Sequence, residues 1–262
     1  MDNLKVTVFQ GYLFWENADK NLQNITTRLA GIREKTNLIV LPEMFSTGFS
    51  MNAGKLAEPM DGKTMKWMHN TARQYDCVIT GSIIIVEDEK YYNRLVWMRP
   101  DGSYEYYDKR HLFALGKEHE TYTPGTSKLI VGLNGWNICP VICYDLRFPV
   151  WLRNVKCDYD LLLIVANWPE RRIEHWRTLI AARAIENQAY VIGVNRVGHD
   201  GNEVYHSGDS TCIDPNGNVV YYKRDEEDLY TFSIIADEVA KTRKALPFLK
   251  DADAFKIVGT KA

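Results

Sequence analysis

Short runs of Val, Ile, Leu and Phe alternate along this chain with longer stretches whose apolar residues recur at helical spacing. Strands this apolar need cover on both faces, and amphipathic helices supply it, so the pattern predicts layers of helix on sheet. The pattern places strands at 4–10, 38–41, 77–86, 91–98, 104–108, 136–143, 161–166, 190–195 and 229–235. It places helices at 17–35, carried by Leu22, Ile25, Leu29 and Ile32, and at 63–75 and 172–187, with a short helix and a tail after the last strand. Gly81-Ser82 inside a strand predicts a bulge or a close backbone approach. Pro100-Asp101-Gly102 is a hairpin turn, and a second hairpin over 210–222 turns at Pro215-Asn216-Gly217-Asn218. Hairpins among βα units predict mixed rather than all-parallel sheets.

At 262 residues the chain matches one large domain or two small ones, at about 100–200 residues per domain. No repeat, low-complexity stretch or Pro/Gly/Ser linker divides it, which predicts one domain over residues 1–262 with 245–262 as a C-terminal tail. Lys and Arg total 32 against 34 Asp and Glu, a net charge of -2 with no long run of either sign. A nucleic-acid partner, which wants a basic patch, is not expected. Apolar stretches such as 161–166 fall far short of the roughly 20 residues of a membrane-spanning helix, so no membrane partner is expected either. The start at Met1 lacks the basic, apolar and small-residue pattern of a secretory signal. The five cysteines are odd in number and scattered rather than framework-like. Together these features predict a cytoplasmic protein with reduced thiols.

Reactive groups in layered α/β proteins gather in loops beyond strand ends. Glu43, Lys109 and Cys143 each follow or close a predicted strand. Singly, the two charges read as solvated and the cysteine as packing. Together they supply a base, a cation for a developing oxyanion and a nucleophile, which is what acyl transfer requires.

The segments Leu41-Pro42-Glu43, Asp108-Lys109-Arg110-His111-Leu112-Phe113 and Cys143-Tyr144-Asp145-Leu146-Arg147-Phe148-Pro149 carry a resemblance. In this order and spacing they resemble the carbon–nitrogen hydrolases of the nitrilase superfamily, and within it the ω-amidase branch. The likeness continues through Ala166-Asn167-Trp168-Pro169, residues 182–188, Asn195-Arg196-Val197-Gly198, Gly208-Asp209-Ser210 and residues 251–255, nearly the whole chain. It implies an α-β-β-α four-layer sandwich with two mixed β-sheets. It also implies a triad in which Glu43 is the general base, Lys109 the electrostatic stabiliser and Cys143 the nucleophile. A second glutamate is implied before Pro124-Gly125: Glu118 fits and Glu120 competes. No cofactor and no metal are implied. A homodimer is, with the tail near its interface.

The implied substrate is a small-molecule amide, an α-keto acid monoamide such as 2-oxoglutaramate or 2-oxosuccinamate, with a nitrile or another linear amide as the alternative within the superfamily. Its remote carboxylate calls for a cation. Arg147 is the first candidate, because guanidinium grips carboxylate bidentately, against an ion pair of Arg147 with Asp145; Arg171 and Arg172 are alternatives. Phe45, Phe113, Tyr144 and Trp168 are candidate walls of a small dry pocket, and the backbone N–H of Tyr144 is a candidate oxyanion donor. Three other readings compete: a zinc site on Cys139 and Cys143, a cysteine–histidine pair using His111, His119 or His206, and a scaffold that has kept the fold without the chemistry.

Overall fold

The computed structural model describes residues 1–258. Thirteen strands and seven helices are described in it. The strands are β1 (Leu4–Gln10), β2 (Leu38–Val40), β3 (Val78–Glu87), β4 (Lys90–Met98), β5 (Tyr104–Asp108), β6 (Val131–Leu133), β7 (Trp136–Ile142), β8 (Leu161–Ala166), β9 (Tyr190–Asn195), β10 (Val197–His199), β11 (Tyr205–Ile213), β12 (Val219–Arg224) and β13 (Asp228–Ile234). The helices are α1 (Ala18–Leu29), α2 (Ala53–Leu56), α3 (Lys63–Tyr75), α4 (Glu118–Thr121), α5 (Pro149–Leu152), α6 (Ile173–Asn187) and α7 (Ala236–Ala245). One sheet has the order β13-β1-β2-β3-β4-β5; the other runs β10-β11-β9-β8-β7-β6, with β12 also paired to β11. Both mix parallel pairs (β1 with β2, β7 with β8) and antiparallel ones (β3 with β4, β6 with β7).

Side-chain alternation divides the core. Val6, Val8, Leu38, Val40 and Val78 turn inward against Ile138, Leu161 and Leu163 of the second sheet. Their strand neighbours Phe9, Ile39 and Ile79 turn outward against Leu22, Ile25 and Leu29 of α1 and Met65, Met68 and Ala72 of α3. On the far side, Trp176, Ile180 and Ala184 bring α6 onto the second sheet. The result is the expected α-β-β-α sandwich with two mixed sheets. Among the described residues no helix is long and apolar enough to cross a membrane.

Several expected boundaries move, each for a local reason. Helix α1 stops at Leu29 rather than at Lys35, because its last turn tightens (Gly31 N–H to Arg28 O, 2.8 Å; Ile32 N–H to Leu29 O, 2.9 Å). Ile32 still packs on the α1 cluster, so the apolar periodicity outlasts the helix. Gly81 is a close approach and not a bulge: pairing with β4 runs unbroken, and a Cβ there would lie 2.8 Å from the Phe45 ring and 2.9 Å from Leu41 Cβ. Strand β7 ends at Ile142, one residue before Cys143. The short strands β6 and β10 and the two-residue turn at Asp88-Glu89 went unpredicted.

Past α7 the chain folds back. Gln188 Nε2 donates to Leu246 O (2.6 Å), Leu249 is buried, and Ile257 lines a small hollow with Arg110, His111, Phe148 and Trp151. Residues 259–262 of the expected tail lie outside the described residues.

Candidate active site

Strands β2, β5, β7 and β8 end at the same edge of the sandwich, and the candidate groups follow them there. Lys109 comes directly after β5, Cys143 after β7 and Asn167 after β8, while Glu43 sits three residues past β2. Cys143 opens a 3-10 turn, Cys143–Arg147, with φ +43°. That left-handed conformation costs a non-glycine residue about 1–2 kcal/mol. It turns the chain sharply out of β7, and Cys143 lines the cavity beyond.

Beneath the thiol lies a buried cluster. Lys109 Nζ donates to Glu43 Oε1 (2.8 Å) and to Glu118 Oε1 (3.0 Å). Glu43 Oε2 accepts the Asn167 backbone N–H (2.8 Å), and Asn167 Nδ2 donates to Glu43 O. Glu118 Oε2 accepts the Phe113 N–H (2.6 Å), tying the cluster to the loop that carries Phe113. Glu118 is fully buried and Glu120 is exposed, so it is Glu118 that meets Lys109. Burial alone would lower the Lys109 pKa, but the carboxylates of Glu118 and Glu43 outweigh it and the pKa is raised. The ammonium therefore stays charged. Burial, and then Glu43, push the Cys143 thiol well above its ordinary range, with Lys109 opposing. The resting Cys143 side chain is thus a neutral thiol.

The cluster floors a cavity of about 480 Å3. Of the four aromatic residues expected to wall it, Phe113, Tyr144 and Trp168 do. Phe45 does not: it is fully buried between Gly81 and Trp67 in the core under α3, because its own strand end points it outward. Phe49 stands in the wall instead, its ring centroid 5.2 Å from Lys109 Nζ. Sequence reasoning also missed Asn93, whose amide donates to Glu43 Oε1 (2.8 Å) and Glu118 Oε1 (3.0 Å); neither residue type carries a signal of its own.

Arg147, Arg171 and Arg172 all line the same cavity. Arg147 does not pair with Asp145. Its guanidinium lies 4.4 Å from the Trp168 ring centroid and 3.1 Å from His175 Nδ1. Asp145 is fully buried and instead accepts from Tyr107 Oη (2.8 Å) and the backbone N–H groups of His111 (3.0 Å) and Ile142 (3.1 Å). Burial and then the charges of Arg171 and Arg147 lower the Arg172 pKa. The Arg172 carbonyl is held by Trp168 Nε1 (2.8 Å) and its guanidinium stands 5.2 Å from the Phe113 ring. One wall of the cavity is therefore strongly cationic.

The competing residues lie elsewhere or are engaged. His111 Nδ1 is 2.8 Å from Asp145 Oδ1 and its ring stacks on Phe148 at 3.7 Å. His119 is exposed. His206 lines the cavity, yet burial and then Arg196 lower its pKa to about 4. Cys139 is fully buried on β7 beside Leu162, and burial raises its thiol to about 12.

The family model for carbon-nitrogen hydrolases matches residues 5–244. The chain belongs to this carbon-nitrogen hydrolase family. A relative from Escherichia coli, the omega-amidase YafV, is 42% identical over 262 residues, covering 98% of this chain and 100% of that one. The 2-oxoglutaramate amidase of Bacillus subtilis is 32% identical over 219 residues, covering 82% of this chain and 84% of its own. Among solved structures, a CN-hydrolase superfamily protein from Xanthomonas campestris, which carries an arsenic adduct in its active site, superposes with a TM-score of 0.96. It is 41% identical and covers 98% of this chain and 100% of that one. Nit3 of Saccharomyces cerevisiae, 23% identical and covering 94% and 95% of the two chains, shares the fold at a TM-score of 0.85. In this carbon-nitrogen hydrolase the three motifs read from sequence all reach the one cavity.

Proposed function

We propose that this carbon-nitrogen hydrolase cleaves the terminal amide of a small α-keto acid monoamide, of the 2-oxoglutaramate and 2-oxosuccinamate class, to the dicarboxylate and ammonia. The observation that carries this reading is the Glu43–Lys109–Glu118 cluster beneath Cys143 in a cavity whose wall bears three arginines. The names of the E. coli and B. subtilis relatives support the same substrate class.

In the proposed reaction the Cys143 sulfur attacks the amide carbonyl as Glu43 takes its proton. Because the thiol is neutral at rest, proton transfer and attack go together, which is general-base catalysis. Lys109 and the Tyr144 N–H hold the oxyanion, a donor of this kind being worth about 3–4 kcal/mol in the transition state. Glu43 then returns the proton to the leaving nitrogen and ammonia departs. Water activated by Glu43 hydrolyses the thioester. Glu118 orients Lys109. The remote carboxylate binds the arginine wall, Arg147 with Arg172 or Arg171, while Phe113, Tyr144 and Trp168 keep the reacting end dry.

The working unit in this reading is a homodimer with the C-terminal tail near the interface, in a reducing cytoplasm that suits a thiol nucleophile. Exposed Val150 beside the Ile257 hollow supports that placement, and sedimentation of the purified chain tests it. The test of function is ammonia release from 2-oxoglutaramate, 2-oxosuccinamate, glutamine, asparagine and a simple nitrile by wild type and Cys143→Ser. Release from the keto acid amides alone, lost in the variant, is expected. Release only from the other compounds would overturn the substrate class.

A further inference from the structure

Asn93 stands on β4 opposite Ile84 and is fully buried. Its amide nitrogen has two hydrogens, and each meets a carboxylate: Glu43 Oε1 at 2.8 Å and Glu118 Oε1 at 3.0 Å. Lys109 Nζ sits on the same two oxygens, and the Lys109 backbone N–H donates to the Asn93 carbonyl (3.0 Å). The Asn93 Oδ1 has no hydrogen-bond partner among the described residues. The amide is thus oriented by the carboxylates alone, since the flipped form would set oxygen against oxygen.

Two carboxylates and one ammonium leave a surplus negative charge out of contact with water. Burial favours relieving it by taking up a proton, whereas hydrogen bonds to the charged form oppose that uptake. We propose that Asn93 is a positioning residue of the reaction. By donating one hydrogen to each carboxylate it holds Glu43 and Glu118 ionised together, and leaves Glu43 Oε2 as the oxygen that receives the Cys143 proton. Glu43 Oε1 already takes two donors, Nζ and Nδ2, while Oε2 takes the single Asn167 N–H. Burial already raises the Glu118 pKa, with Lys109 opposing and Glu43 adding. The other groups facing the pair are the Cys143 thiol beyond β7 and Tyr122 beyond α4, whose hydroxyl is held by Ser50 O (2.5 Å). Arg172 and Glu16 stand farther off in the cavity wall. None of these supplies a neutral donor to both carboxylates.

The inference rests on reading Glu43 as the base, and three variants separate the two. Asn93→Leu keeps the volume and removes both donors; Asn93→Ser keeps one hydroxyl hydrogen. The pH dependence of kcat/KM is measured for whichever amide of the panel is released fastest. In Asn93→Leu the acid limb is expected to move up by about one pH unit, a tenfold loss on that limb, with recovery at higher pH and KM within about twofold. Asn93→Ser is expected to fall between, and decides alone if the leucine variant does not fold. A loss that is uniform across pH, with the limb unmoved, overturns the inference. Glu43→Gln is expected to be inactive throughout. Activity there would sink the Glu43 reading itself, whereas an inactive Glu43→Gln beside an unmoved Asn93 limb would sink only the role of Asn93.

Discussion

Phe45 and Phe113 have the same side chain and opposite duties, and truncating each separates packing from binding. Phe45 is fully buried in the core under α3, so Phe45→Ala is expected to cost about 3–5 kcal/mol in denaturant unfolding and to leave KM near wild type. Phe113 is half-buried in the cavity wall. Phe113→Ala is expected to change stability by about 1 kcal/mol or less and to raise KM severalfold. Equal effects on KM from the two variants would return Phe45 to the pocket. The sequence made both residues candidates, because an aromatic five places past a strand end looks alike whether it faces helix or cavity. Glu43, Lys109 and Cys143 were legible as a chemically sufficient set at strand ends. Glu118 and Glu120 were not separable until burial distinguished them, and Asn93 was invisible, since its role comes from two carboxylates brought from other elements.

Elements were legible where burial is continuous. Strands β1 and β8 and helix α3 fall where the apolar pattern puts them, because every residue or every turn meets the core. The misses are elements whose cause lies outside their own sequence. β10 has three residues and exists by pairing with β11. The β3–β4 turn carries Asp88 and Glu89, both at positive φ (49° and 60°), in place of the Asn-Gly that such a turn favours. That mismatch makes a prediction. Asp88→Asn with Glu89→Gly relieves two left-handed non-glycine residues, and is expected to stabilise the chain by about 1 kcal/mol while kcat and KM stay unchanged. Denaturant melts and steady-state rates check it together, and a loss of stability would mean that the turn is not strained.

At the scale of the whole molecule, the site belongs to neither sheet. Glu43, Asn93 and Lys109 come from the first sheet and Cys143 and Asn167 from the second, so the distance between the Cys143 thiol and the Glu43 carboxylate is a property of how two sheets pack. Period-two alternation in sequence announces that two faces will be buried; it does not announce which residues of one sheet will meet which of the other. Asp145 joins the two. It takes the Tyr107 hydroxyl and the His111 N–H from one side, and the Ile142 N–H at the end of β7 from the other. Trp151 Nε1 and the Arg110 N–H in turn donate to the Tyr107 oxygen (3.1 and 3.2 Å). Asp145→Asn keeps the shape but turns an N–H₂ toward groups that are already donors, so a buried acceptor becomes a buried conflict. The expected cost is about 3 kcal/mol, the scale of losing hydrogen bonds to a buried charge. Because Cys143 sits between Ile142 and Asp145, kcat is expected to fall at least tenfold with a smaller change in KM. Unfolding and steady-state rates measured on the same preparation test this coupling. A destabilised variant with full kcat would show that the clamp holds the sheets without setting the nucleophile.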